Sequence, residues 1–222
     1  MSASTGICVV VGAGPCLGQA VARRFAKAGY RLALIARKQQ TLEGFIAEME
    51  TAGVEATAFL ADAEHSPSLV DALTRIHNEL GPTDVLVYNA AVSKRGSVFD
   101  IGVEQLVREF RVNVGGALTC AQQVAPAMKN RKQGSIFLTG GGLALDPWPA
   151  MASLAIGKAG LRNLAFSLHK ELKDFNIRVA TVTIDGLVKA GAGVFDPAAI
   201  AEIFFALHQQ PAASGPAERI IK

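Results

Sequence analysis

Residues 7–29 constrain this chain more than any other stretch. Ile7-Cys8-Val9-Val10-Val11 is a short apolar run, rich in β-branched residues and bounded by Gly6 and Gly12. Such a run suits a strand buried on both faces of a parallel sheet. Gly12-Ala13-Gly14-Pro15-Cys16-Leu17-Gly18 follows, then an amphipathic run over 19–28 that closes at Gly29. Strand, glycine-rich turn and helix in that order predict a cradle for a dinucleotide pyrophosphate. Glycines let the turn tighten and the backbone approach the anion, and the helix N-terminus offers unpaired N–H groups. Cys16 stands at the tightest point of the loop, where its Cβ and sulfur are expected to crowd the pyrophosphate. A thiol there reads either as a redox-sensing group or as a small residue in glycine's place.

The alternation continues along the chain. Tyr30-Arg31-Leu32-Ala33-Leu34-Ile35-Ala36 predicts a second buried strand ending in Arg37-Lys38, with a helix over 41–52 stopped by Gly53. A third strand over 54–60 runs into Ala61-Asp62, and Pro67 opens a helix to about Leu80. Asp84-Val85-Leu86-Val87-Tyr88 predicts a fourth strand leading into Asn89-Ala90-Ala91, followed by one long helix over 103–128. Strands over 135–139 and 177–184 flank a long helix over 150–175; a last helix starts near Pro197, and Arg219-Ile220-Ile221 is a candidate seventh strand. Strands alternating with helices of this length imply right-handed crossovers. The expected fold is a single α/β domain over 1–222, a Rossmann fold with a doubly wound parallel sheet of about seven strands.

Half of the 222 residues are hydrophobic, enough for one well-buried domain. The net charge of +3 is dispersed, which argues against a nucleic-acid face, since that needs a basic stripe with interleaved aromatics. Cys8, Cys16 and Cys120 are far apart in sequence, and the four histidines show no ligand spacing, so no metal site is expected. The odd cysteine count points to reduced thiols in the cytoplasm. Residues 1–6 lack a signal-peptide pattern, and no run of about 18 apolar residues suggests a membrane span.

The order of these motifs resembles the short-chain dehydrogenase/reductase family over nearly the whole chain. The loop from Gly12 through Gly14, Cys16 and Leu17 to Gly18 is similar to that family's cofactor loop. The resemblance implies that Asp62 lies beside an adenine and that Asn89-Ala90 is the second half of an Asn-Asn-Ala-Gly motif. It implies that Asn113 is the asparagine of the long central helix and that Lys158 is the lysine of Tyr-x-x-x-Lys. Asp185-Gly186 resembles the family's Pro-Gly after the sixth strand. A nucleotide cofactor and a homodimer or homotetramer built on the two long helices are implied as well.

The departures fall on the chemistry. Four residues before Lys158 the chain has Leu154, where the family has its catalytic tyrosine, and thirteen further back it has Gly141, where the family has serine. Tyr88 replaces the first asparagine of the strand-four motif, and Ala91 its glycine. Reducing a carbonyl leaves an alkoxide that needs a proton, and a positioned acid contributes about 10²–10⁴-fold. Leu154 cannot supply one. Tyr88 is expected to turn into the packing. Lys158 and Asn113 then read as remnants of the catalytic set, with Lys158 also gripping a ribose or serving as an acid itself. Arg37 and Lys38 follow the second strand, where an acidic residue would accept from a ribose 2′-OH; two cations favour the 2′-phosphate of NADP, with NAD left open. Only a short segment over 187–196 is available to close over a substrate, so an open site is expected. The remaining alternative is an inactive Rossmann protein that senses a nucleotide cofactor or serves as a partner subunit.

Overall fold

A computed structural model describes residues 6–212 and 214–222; residues 1–5, which hold most of the segment read above as lacking a signal-peptide pattern, lie outside them. The elements run β1 (Gly6–Val11), α1 (Leu17–Lys27), β2 (Tyr30–Ala36), α2 (Gln40–Thr51), β3 (Ala56–Leu60), α3 (Ser66–Glu79) and β4 (Val85–Tyr88). They continue with α4 (Val103–Phe110), α5 (Gly116–Arg131), β5 (Gly134–Gly141), α6 (Ala152–Leu172), β6 (Ile177–Ile184), α7 (Pro197–His208) and β7 (Glu218–Ile221). All seven strands pair in parallel in the order β3-β2-β1-β4-β5-β6-β7. The order reverses between β1 and β4, and the crevice at the strands' carboxyl ends at such a switch point is where doubly wound sheets bind ligands.

Successive side chains on a strand point to opposite faces, and β1 feeds two cores this way. Ile7, Val9 and Val11 pack with α3, α5 and α6, while Cys8 and Val10 pack with α1, α2 and α7. Both faces are covered, which is why the strands read as unbroken apolar runs.

Two predicted elements differ. The third strand begins at Ala56, because Val54 still donates its N–H to Met49 O at 2.9 Å as α2 ends. The single helix expected over 103–128 is divided by one widened turn, Arg111–Gly115, of π geometry. The Tyr88 hydroxyl, fully buried at the end of β4, donates to the Val112 carbonyl in that turn. Gly116 leaves the space the phenol fills, since a Cβ there would collide with it. The extra residue of a π turn frees a carbonyl for such a partner.

Candidate functional site

A cleft of about 410 Å³ opens at the carboxyl ends of β1, β2, β3 and β4. Gly12, Gly14, Arg37, Lys38, Asp62, Asn89 and Ala90, all candidate cofactor residues, line it together with Val92 and Val112. Close backbone approach shapes its floor. Gly12 sits at φ +81, and a Cβ on it would lie 2.5 Å from Ala90 N. Asn89 Nδ2 donates to Gly12 O at 2.9 Å, tying the end of β4 to the glycine loop. A Cβ on Gly18 would lie 2.5 Å from Gly12 O, so that glycine closes the helix against the loop.

The start of α1 fits an anion. Gln19 N bonds Gly14 O at 3.1 Å and Ala20 N bonds Cys16 O at 3.1 Å, while the N–H groups of Leu17 and Gly18 find no acceptor among the described residues and no side chain caps the helix. Free N–H groups at a helix N-terminus attract phosphate. Arg37 and Lys38 are exposed and make no ion pair among the described residues. Asp62 is braced by its neighbours: Oδ1 accepts from Glu64 N at 3.0 Å, and its own N–H donates to Ser68 Oγ at 3.1 Å.

Five other candidate cofactor residues do not line this cleft: Cys16, Leu17, Gly18, Lys158 and Gly186. The Leu17 side chain is buried in the core, which leaves its backbone N–H toward the loop. Gly186 makes room for the Phe195 ring, which occupies the place a Cβ would take. Cys16 is exposed and lines a separate groove with Ala20, Arg23, Lys27 and Ala190. Its backbone is the unusual part: φ +79, ψ −119 is a glycine-type conformation.

At the other end of the crevice, Lys158 Nζ donates to Thr139 O at 2.7 Å, and burial lowers its pKa to about 8. Leu154 lies one turn earlier on α6. A Cβ on Gly141 would contact the Lys158 side chain at 3.4–3.5 Å. The Thr139 and Ser153 hydroxyls are buried without partners. Tyr88, expected to point into the packing, does so, and burial raises its pKa well above the ordinary phenol value. Asn113 Oδ1 accepts from Val92 N at 2.8 Å and Nδ2 donates to Val92 O at 3.3 Å. It bridges the widened turn to the loop after β4, and Gly157 admits it by lacking a Cβ. Trp148 is exposed beneath the Arg95 guanidinium, 5.4 Å from its ring centre, and Gly96 pairs with Met151 to hold that loop against the start of α6.

Over residues 6–192 the sequence matches the family model for short chain dehydrogenases. The chain belongs to the short-chain dehydrogenase family. It is 32% identical over 177 residues to 2,3-dihydro-2,3-dihydroxybenzoate dehydrogenase of Bacillus subtilis, covering 80% of this chain and 68% of that protein. To human dehydrogenase/reductase SDR family member 4 it is 31% identical over 177 residues, covering 78% of this chain and 62% of that protein. The match thus spans less than two thirds of the human relative. A metagenomic short-chain oxidoreductase solved in complex with NADP superposes with a TM-score of 0.90 at 28% identity, covering 98% of this chain and 97% of that one. A short-chain dehydrogenase from Rhodopseudomonas palustris gives 0.88 at 27% identity, covering 98% of each.

Residues that sequence reasoning missed are mostly backbone partners: the Thr139 carbonyl that holds Lys158 and the Val92 amide that holds Asn113. Nothing in residue type marks a main-chain group as a partner. Among the described residues no helix is long and apolar enough to cross a membrane, and no three His, Cys, Asp or Glu residues gather as metal ligands.

Proposed function

We propose that this chain binds NADP(H) in the cleft beside β1 and performs a carbonyl–alcohol oxidoreduction in which the family's tyrosine takes no part. The observation that carries the reading is the cleft together with the loop beside it: close-approach glycines on the floor, Arg37 and Lys38 unpaired on one rim, and free N–H groups at the adjoining start of α1. Those two cations suit a 2′-phosphate, and the superposed metagenomic oxidoreductase holds NADP. Gly12, Gly14, Leu17 and Gly18 would hold the pyrophosphate through backbone, Asp62 the adenine end, and Asn89 and Ala90 the middle of the cofactor, with Lys158 toward the ribose. When bound, the nicotinamide supplies or accepts hydride. The chain's own part is to fix that ring, exclude water on the Leu154 side and handle the proton.

Thermal unfolding with NADPH and with NADH tests this, because a ligand that binds only the folded state raises apparent stability. A larger shift with NADPH is expected, and no shift with either at millimolar concentration overturns the reading. Leu154 and Gly141 favour a second reading, a cofactor-binding sensor or partner subunit without turnover. NADPH binding with no oxidation across a panel of aldehydes and ketones would select it.

A homodimer or homotetramer through α4, α5 and α6 is part of the proposal. Val103, Val107, Phe110, Leu118 and Ile156 are exposed on these helices, which pack against one another. Sedimentation of the wild type against Val107→Lys checks it. A cytoplasmic setting is supported by the free thiols Cys8 and Cys120 in the core.

A further inference from the structure

The crevice end at α6 lacks both hydroxyl side chains of the family's chemistry, and the Lys158 side chain adjoins their places. Leu154 and Lys158 are four residues apart on α6 and share a face. With no side chain on Gly141, the stem of Lys158 forms the wall there: a Cβ at 141 would lie 3.4 Å from its Cγ and Cε and 3.5 Å from its Cδ. Nζ uses one N–H toward Thr139 O; an ammonium has three, so two remain. The phenol and imidazole donors named here are committed elsewhere, and the two alcohols without partners, Thr139 and Ser153, are too weakly acidic to give a proton near neutral pH. Tyr88 donates to Val112 O, and His169 bonds Val179 O. His208 lies between Tyr30 and Ser135, and the Thr139 and Ser153 hydroxyls are buried.

Resting on the NADP(H)-dependent reading above, we propose that Lys158 is the catalytic acid of this site, its ammonium giving a proton to the carbonyl oxygen of an aldehyde or ketone whose apolar arm lies against Leu154. The bound cofactor would supply hydride to the carbonyl carbon, and Nζ gives its proton to the oxygen, which completes the alcohol. The alcohol leaves, Nζ remains as the neutral amine, and water returns the proton. Burial brings the lysine's pKa to about 8, close to an operating pH, where general acids work best. The adjoining strand end contributes Asp185, whose carboxylate lies against Gly142, and the widened turn contributes the neutral Asn113. Burial is the cause of the shift.

The test pairs a titration with kinetics on the full chain. Protein carrying [ε-¹³C]lysine is titrated by NMR, with Lys158→Arg assigning the resonance, and a midpoint near 8 is expected. Oxidation of NADPH with benzaldehyde and 4-nitrobenzaldehyde should be flat below that midpoint and fall above it. Arginine keeps the charge toward the cofactor but holds its protons, so Lys158→Arg is compared with wild type at NADPH concentrations that saturate each protein, as read by NADPH fluorescence. It should nevertheless lose about 100-fold in turnover together with the pH limb. Lys158→Met, checked for folding by its melting temperature, should lose turnover equally. A midpoint at the ordinary lysine value, turnover in Lys158→Arg within about threefold of wild type, or wild-type binding of NADPH without turnover each overturn the proposal. Absence of NADPH binding overturns the cofactor reading itself, and this one with it.

Discussion

The two ends of the crevice differ in what holds them together. At the β1–β3 end the work falls to backbone: Gly12 and Gly18 allow contacts that a Cβ would forbid, and Asn89 locks the loop through a carbonyl. At the β5–α6 end it would fall to two side-chain hydroxyls, and there the chain has Gly141 and Leu154. Backbone geometry belongs to the fold and persists as long as the sheet does. A hydroxyl is a single residue and can vanish without disturbing a strand. A binding half can therefore stay whole beside an altered reaction half, and that is the form we propose for this molecule.

The largest expected effect comes from making the two ends alike. Leu154→Tyr with Gly141→Ser should raise NADPH-dependent reduction of benzaldehyde by about 10²-fold, the low end for a positioned acid, since Lys158 already supplies a proton. Serine fits, because the added Cβ would meet only lysine methylenes at 3.4–3.5 Å. Unchanged turnover in a double variant that still binds NADPH would mean that α6 no longer aims residue 154 at the nicotinamide.

The joint between the ends comes next. Asn113 bonds both the N–H and the carbonyl of Val92, and Tyr88 bonds Val112 O in the same turn. Asn113→Leu leaves those groups unpaired and should destabilise by about 1–3 kcal/mol; Tyr88→Phe should cost about 1–2 kcal/mol. For a chain of this length each kcal/mol lowers the melting temperature by about 2–4 °C. Equal melting temperatures for wild type and Asn113→Leu would remove the bridge from the argument.

The order of strands, and the gathering of seven candidate residues around one cleft, were legible because each is written in residue type: β-branched runs, glycines, and polar residues just past strand ends. The break in the 103–128 helix was not, since helical periodicity hardly changes when one turn widens. Its cause, the Tyr88 phenol seated over Gly116, joins residues far apart in sequence. The same limit hid Phe195 against Gly186. Cys16 was visible in glycine's place, but which way its side chain points is a property of the loop's dihedrals.

Cofactor choice is a smaller effect, confined to the β1–β3 end. Arg37→Ala with Lys38→Ala removes two exposed, unpaired cations from the rim. It should weaken NADPH by about tenfold, the equivalent of one charge-assisted hydrogen bond, while NADH binding hardly moves. Parallel titrations by fluorescence read the ratio, and equal losses for both cofactors would assign the cations to the shared pyrophosphate.

The smallest effect separates Cys16's backbone from its side chain. Holding a non-glycine residue at φ +79, ψ −119 stores strain of about 1–3 kcal/mol. Glycine relieves it but gives back about 0.4–1 kcal/mol through a freer unfolded chain. Cys16→Gly should therefore stabilise by about 1 kcal/mol, or about 2–4 °C in melting temperature. Because the residue lines the groove with Ala20, Arg23, Lys27 and Ala190 instead of the cofactor cleft, NADPH affinity should stay the same. An affinity gain without a stability gain would reverse that assignment: the sulfur would then be turning into the cleft, and the binding end would share the alteration proposed for the reaction end.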